Sequence, residues 1–210
     1  MRYRYLAIEG NIGAGKTSLS SKIAAEYKAK LILEEFAENP FLPKFYEDPD
    51  RYAFPLELSF LAERFSQLKR DLEQPDLFGS HVVSDYFLSK SLVFSRNNLK
   101  DDEYSLFSKM FQLIIPQIPK PDLLVYLYLD IERLQHNIKK RGRPYEQQIT
   151  DKYLIDVQNN YFEFIRKQED LKVLIIDSNR LDFVNKDEDY RKILHLIDQD
   201  YPNGVNHISA

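Results

Sequence analysis

Residues Glu9 to Ser18, "EGNIGAGKTS", carry the pattern G-x-x-x-x-G-K-[ST] at Gly10, Gly15, Lys16 and Thr17. A glycine-rich loop that runs into a helix turns successive backbone N–H groups, and the positive end of the helix dipole, toward one anion. Gly10, Asn11, Ile12, Gly13, Ala14, Gly15 and Ser18 therefore read as a cradle for the α- and β-phosphates of a nucleoside triphosphate. Lys16 reaches the β- and γ-phosphates, and Thr17 offers its hydroxyl to Mg²⁺. The plain alternative is a glycine turn that matches by chance. The flanks argue against it: "YRYLAI" alternates like a buried strand, and "TSLSSKIAAEYKA" spaces Leu19, Ile23, Ala24 and Tyr27 as an amphipathic helix.

Other chemistry sits where strands are expected to end. Glu34 and Glu35 close the second strand, Asp85 the third, and Asp177, Ser178 and Asn179 the fifth. Ligands of open α/β sheets bind at such ends, although a helix cap or a surface acid explains a lone carboxylate equally well. In "NIKKRGRPYEQ", Lys139, Lys140, Arg141 and Arg143 crowd a helix end that Gly142 breaks, with Glu146 following. A solvated C-terminal turn would suit these cations; beside a phosphate cradle they read as a cationic lid over transferring phosphates. Two GTPase-like signals are discounted. "DLFG" (Asp76 to Gly79) precedes a strand instead of ending one, and "NKDE" (Asn185 to Glu188) has Glu where a guanine reader has Asp.

The elements that must position these groups follow from the apolar runs. Strands are expected in "KLILEE" (30–35), "HVVSD" (81–85), "DLLVYLYLD" (122–130) and "LKVLIID" (171–177), after the first in "YRYLAI". Short apolar strands separated by helical patterns predict an α/β fold, a five-stranded parallel sheet with helices on both faces. A long helix over "AFPLELSFLAERFSQLKRDLEQ" aligns Leu58, Leu61, Phe65, Leu68 and Leu72 in one stripe for a core or a subunit contact, and a homodimer is expected. One domain over 1–200 is expected, with a flexible tail over 201–210.

Composition narrows the class. Hydrophobic residues at 43% and charged residues at 30% are globular values, and a net charge of −4 disfavours a nucleic-acid partner. No cysteine is present, so thiolate metal sites and thiol nucleophiles are excluded, and the four histidines are scattered. The first strand begins near the N-terminus and the longest apolar run, Leu123 to Leu129, is too short to span a bilayer. A cytoplasmic protein without a membrane partner is expected.

In this order, "EGNIGAGKT", "EEFAENP", "FYEDPDRYAFPLE", "RGRPYEQ" and "IDSNRLDF" resemble the deoxynucleoside kinase family, from the cradle to about residue 183. The resemblance implies a P-loop kinase fold with an arginine-rich lid, ATP and Mg²⁺ as cofactors, and a deoxynucleoside acceptor phosphorylated on its 5′-hydroxyl. It implies Glu34 as the general base, with Glu35 the competing assignment, Tyr46 and Glu146 on the sugar 3′-hydroxyl, Arg141 and Arg143 on the donor phosphates, and Ser178 and Asn179 beside the donor adenine. Two departures stand out. Ser84-Asp85-Tyr86 replaces the family's acid–Arg–Ser motif, so Asp85 is left to serve Mg²⁺, and Lys90 either supplies the lost cation or is a solvent-exposed lysine in "FLSKSLVFS". Glu57 stands where relatives carry the glutamine that reads the base.

An ionised Glu57 only accepts hydrogen bonds, which suits the adjacent N1–H and N2–H₂ donors of guanine. Arg64, two turns along the same face, is placed to meet a purine O6 or N7 or to pair with Glu57. Deoxyguanosine is the expected first choice. The competing functions are a nucleoside monophosphate kinase, which needs an extra cation for its acceptor, and a nucleotide-binding subunit without turnover, suggested by the missing arginine.

Overall fold

The computed structural model describes residues 1–35, 39–73 and 81–209, so the discounted "DLFG" segment lies outside the described residues. The strands are β1 (Tyr5–Gly10), β2 (Lys30–Ile32), β3 (Val82–Ser84), β4 (Leu123–Tyr128), β5 (Lys172–Asp177) and β6 (Gly204–Ser209). The helices are α1 (Lys16–Tyr27), α2 (Leu42–Glu47), α3 (Pro49–Glu73), α4 (Lys90–Asn98), α5 (Asp101–Ile114), α6 (Ile131–Arg141), α7 (Asp151–Arg166) and α8 (Asp187–Ile197). They fall into two compact units. The first, within 1–33, 76–87 and 120–210, holds every strand with α1, α6, α7 and α8; the second, within 34–75 and 88–119, holds α2 to α5.

In the first unit the strands are ordered β2-β3-β1-β4-β5-β6, and every neighbouring pair is parallel. Interior strands of such a sheet are covered on both faces and must be apolar throughout. Leu6 faces Val83 on one side and Leu123 on the other, and Val125 lies between Ile8 and Leu174; all six side chains are fully buried. The chain leaves β1 toward β2 and β3 on one side and toward β4 on the other. This reversal makes the C-terminal end of β1 the crevice of the sheet, and the glycine loop begins there.

Three expectations are corrected. The sheet has six strands, because the segment read as a tail forms β6, in register with β5 from Lys172↔Gly204 to Asp177↔Ser209. As an edge strand it takes its order from the exposed ladder of β5, so its own apolar content signals little. β2 stops at Ile32, short of the two glutamates, because it pairs with β3 through only three residues. In the second unit, Leu58, Phe65 and Leu72 are half-buried, while the buried face of α3 carries Leu56, Phe60, Leu61 and Leu68 together with the polar Glu57, Arg64 and Gln67. A face read by hydrophobic periodicity omits those three because their partners, Asn98 for Glu57, Glu34 for Arg64 and Glu35 for Gln67, are distant in the chain.

Gly10 joins β1 to the loop at φ 152°, and a Cβ there would stand 2.8 Å from the carbonyl oxygen of Leu127 and 3.0 Å from Ala14 Cβ. Gly10→Ala should therefore force β1 and β4 apart at the crevice and destabilise the protein by about 1–3 kcal/mol. Thermal unfolding checks this; an unchanged Tm would contradict it.

Candidate active site

The glycine loop turns on Gly13 and Gly15, at φ 85° and 87°. Gly15 caps α1, so the loop N–H groups and the first turn of the helix share one direction. Two side chains anchor this backbone: the loop's own Asn11 Nδ2 donates outward to Leu154 O of α7 at 2.8 Å, and Asn137 Nδ2 of α6 donates to Gly13 O at 2.8 Å. Lys16 Nζ donates to the carbonyls of Gly10 and Asn11, both at 3.0 Å, and so lies over the loop. The cleft beside it has a volume of about 550 Å³ and is lined by Gly13 to Ser18, Arg133, Lys140, Arg141, Arg143, Ser178 and residues 181–185.

Thr17 Oγ1 donates to Asp85 Oδ2 at 2.5 Å. A hydroxyl and one carboxylate beside a phosphate cradle are the oxygen donors Mg²⁺ takes when phosphate and water complete its shell, so these residues fit the metal. Asp85 is 5% exposed. The turn after it is pinned by Glu9, whose Oε1 accepts Phe87 N–H at 2.7 Å while its Oε2 accepts the Tyr161 hydroxyl of α7 at 2.9 Å.

Gly142 ends α6 at φ 71°, and the two arginines around it converge on one acid. Arg141 Nη2 donates to Glu146 Oε2 at 2.5 Å, and Arg143 Nη1 to Glu146 Oε1 at 3.2 Å. Glu146 is buried, whereas the side chains of Arg141 and Arg143 keep 36% and 33% exposure, so both cations remain reachable from the cleft. After β5, Ser178 donates its N–H and its Oγ to Tyr128 O, each at 3.0 Å, and Asn179 Oδ1 accepts Asp130 N–H at 2.9 Å.

The second unit contains a buried charge cluster. Arg64 Nε and Nη2 both donate to Glu34 Oε1, at 2.8 and 2.7 Å, and Lys90 Nζ donates to Glu34 Oε2 at 2.5 Å. Arg64 Nη1 continues to Ser91 Oγ at 2.9 Å. Burial alone would raise the Glu34 pKa, but the charges of Lys90 and Arg64 outweigh it and hold the carboxyl well below the usual range. Its rival, Glu35, has a side chain 74% exposed and meets Gln67 Nε2 at 3.2 Å. Lys90 thus reaches Glu34, and Arg64, read as a partner for Glu57 or for a purine, has its guanidinium on Glu34 and Ser91.

Glu57 is 2% exposed. Its Oε1 accepts Asn98 Nδ2 at 2.6 Å, while Oε2 has no hydrogen-bond partner among the described residues. Burial pushes its pKa up to about 7, against the lowering effects of Arg64 and Asn98. Tyr46 lies half-buried on α2, its ring edge-on to Phe45 at 5.4 Å. Sequence reasoning missed Glu9, Asn98 and Asn137. Asn98 ends α4 and reads as an ordinary helix-end amide, and nothing in the spacing links any of the three to its partner.

The deoxynucleoside kinase profile matches residues 6–201, nearly the whole chain. The chain belongs to the deoxynucleoside kinase family. It is 33% identical to a deoxyguanosine kinase of Bacillus subtilis over 83% of this chain and 86% of that protein. It is 30% identical to a deoxyadenosine/deoxycytidine kinase of the same organism, over 76% of each chain. Among solved structures, a deoxyadenosine kinase from M. mycoides superposes with a TM-score of 0.77 at 25% identity, over 92% of this chain and 97% of that one. The kinase transfers phosphate to a nucleoside hydroxyl.

The Glu34 cluster has a consequence for folding. A carboxyl whose folded pKa is lowered contributes stability above its unfolded pKa of about 4.5, and loses it as pH falls toward the folded value. The kinase should therefore lose stability as pH drops below about 4.5. Lys90→Met should flatten that acid dependence and destabilise the neutral protein by about 3–5 kcal/mol, as for other broken buried pairs. Urea unfolding at several pH values measures both effects; parallel curves for the two proteins would contradict the assignment.

Proposed function

We propose that this kinase transfers the γ-phosphoryl group of ATP to the 5′-hydroxyl of a purine deoxynucleoside in nucleotide salvage, with Glu34 taking the hydroxyl proton. The observation that carries this reading is the pair of cations on Glu34, which keeps it ionised and acceptor-only at neutral pH. A carboxylate held so low in pKa is a weak base toward a free alcohol. In a loose phosphoryl-transfer transition state this suffices, because the hydroxyl proton becomes acidic only as the new O–P bond forms. Glu34 first orients the 5′-hydroxyl as an acceptor, then receives its proton while the bond from the γ-phosphorus to the β-phosphate oxygen breaks.

The other roles follow from chemical type. The loop from Gly10 to Ser18 holds the donor phosphates, with Lys16 on the β- and γ-oxygens, and Arg141 and Arg143 meet the charge of the transferring group. Thr17 and Asp85 would hold Mg²⁺, which supplies neutralisation of the β- and γ-oxygens. The backbone at Ser178 and Asn179 borders the donor base. Tyr46 and Glu146 hold the sugar 3′-hydroxyl, and Glu57 reads the acceptor base. Lys90 stands in for the missing arginine as a positioning residue for Glu34. A cytoplasmic site of action fits a chain without cysteine. A homodimer is supported by the exposed apolar residues Leu106, Met110 and Leu113 along α5, and sedimentation at micromolar concentration tests it.

The deciding assay offers Mg-ATP with the deoxynucleosides and their monophosphates in turn. Phosphorylation of deoxynucleosides is expected, and turnover confined to monophosphates would overturn the reading. Glu34→Gln should lower kcat by about 10²–10⁴-fold per folded molecule while nucleoside affinity changes only a few-fold. A nearly normal Glu34→Gln alongside an inactive Glu35→Gln would move the base to Glu35.

A further inference from the structure

Two carboxylates with an assigned role, Glu34 and Glu146, each carry two cations. Glu34 has Arg64 and Lys90, and Glu146 has Arg141 and Arg143. Glu57 differs. The groups that face it are Asn98 and Lys90 from α4, Arg64 from its own helix, and Glu34 from the loop after β2. Lys90 donates to Glu34 and Arg64 to Glu34 and Ser91, and the negative Glu34 adds repulsion. Among the described residues Glu57 receives one neutral amide on Oε1 and nothing on Oε2. The Asn98 amide is itself fixed, because its Oδ1 accepts from Asn97 Nδ2 at 3.2 Å, so its N–H is committed to Glu57 Oε1. One oxygen of the carboxyl is thus held as an acceptor and the other is left to carry, or not to carry, a proton.

We propose that the proton on Glu57 Oε2 selects the acceptor base: the ionised form takes deoxyguanosine, and the protonated form takes deoxyadenosine and deoxycytidine. The inference rests on the reading of Glu57 as the base contact and adds the chemical state in which it acts. Guanine presents a donor at N1–H, with N2–H₂ beside it. Adenine N1 and cytosine N3 are acceptors, each with an amino donor beside it. An ionised Oε2 accepts from guanine N1–H and would face a lone pair on adenine or cytosine. A protonated Oε2 donates to adenine N1 or cytosine N3, and Oε1, beside Asn98, accepts from the neighbouring amino group. A mismatched base leaves a buried polar atom facing its own kind, which such sites reject strongly. Burial holds this carboxyl's pKa at about 7, so both forms are populated near neutral pH.

Adenine and cytosine share one pattern of acceptor and donor, and guanine presents its opposite.

The test measures kcat/KM for deoxyguanosine and deoxyadenosine from pH about 6 to about 8.5. Effects common to both substrates, such as titration of the lid or of the donor phosphates, cancel in the ratio. The ratio in favour of deoxyguanosine should rise on the order of tenfold or more across this range. Glu57→Gln, whose amide donates and accepts like the protonated acid, should prefer deoxyadenosine and deoxycytidine at every pH and show a flat ratio. A wild-type ratio constant within twofold, with a base preference that still changes in Glu57→Gln, would overturn the proton's role and leave the base contact standing. If Glu57→Gln leaves the base preference unmoved, Glu57 is not the base contact and both readings fall. A wild-type ratio that rises with pH and rises equally in Glu57→Gln would assign the titration to another group and overturn the inference.

Discussion

One carboxylate, Glu34, holds two cations inside the second unit, and the charge state of its surroundings follows from that competition. Arg64 and Lys90 are both nearly buried, and the Glu34 carboxylate offsets the cost of taking their charges out of water. Their hydrogen bonds to Glu34 lower its pKa and keep it an acceptor. Glu57 stays buried and receives a hydrogen bond only from the Asn98 amide among the described residues, while Arg64 and Lys90 act on it through their charge alone. Cations on Glu34 and burial of Glu57 thus give one unit a strongly ionised acid and a readily protonated one. Buried pairs of this kind are weak evidence for stability, since a packed apolar cluster would serve as well; their value here lies in the separated pKa values.

The first unit solves a different problem with backbone. Its crevice turns the backbone through positive φ at Gly13 and Gly15 and starts a helix at once. The loop is anchored to two helices, by its own Asn11 reaching the backbone of α7 and by Asn137 reaching in from α6. Glu9 adds a third tie, joining β1, the turn that carries Asp85, and α7. Preorganisation of this sort costs stability at the crevice and is offset by the apolar sheet beneath it.

What could be read from the chain divides along the same line. The strand, loop and helix from Tyr5 to Tyr27 were legible because local pattern specifies them: an apolar run, glycines at fixed offsets, then helical spacing. The helix stop at Gly142 was legible for the same reason. The partners of Glu34 were not, since Arg64 and Lys90 lie 30 and 56 residues away and each reads locally as an ordinary charge on an amphipathic helix. Arg64 was misdirected toward Glu57 because helical spacing reports only a shared face. β6 was hidden because an edge strand borrows its order from its neighbour. Asn98 carried no signal, as its importance comes from the single acceptor it faces.

Glu34 takes hydrogen bonds from both cations, and Glu57 takes none from either. Carbon-detected NMR of the side-chain carboxyls, in protein labelled at glutamate Cδ, reads this directly by following each signal from pH about 5 to about 9. The account predicts a Glu34 signal that stays at its ionised shift throughout and a Glu57 signal that steps near 7. A Glu57 carboxyl already ionised at pH about 5, or a Glu34 carboxyl that titrates within the range, would contradict it.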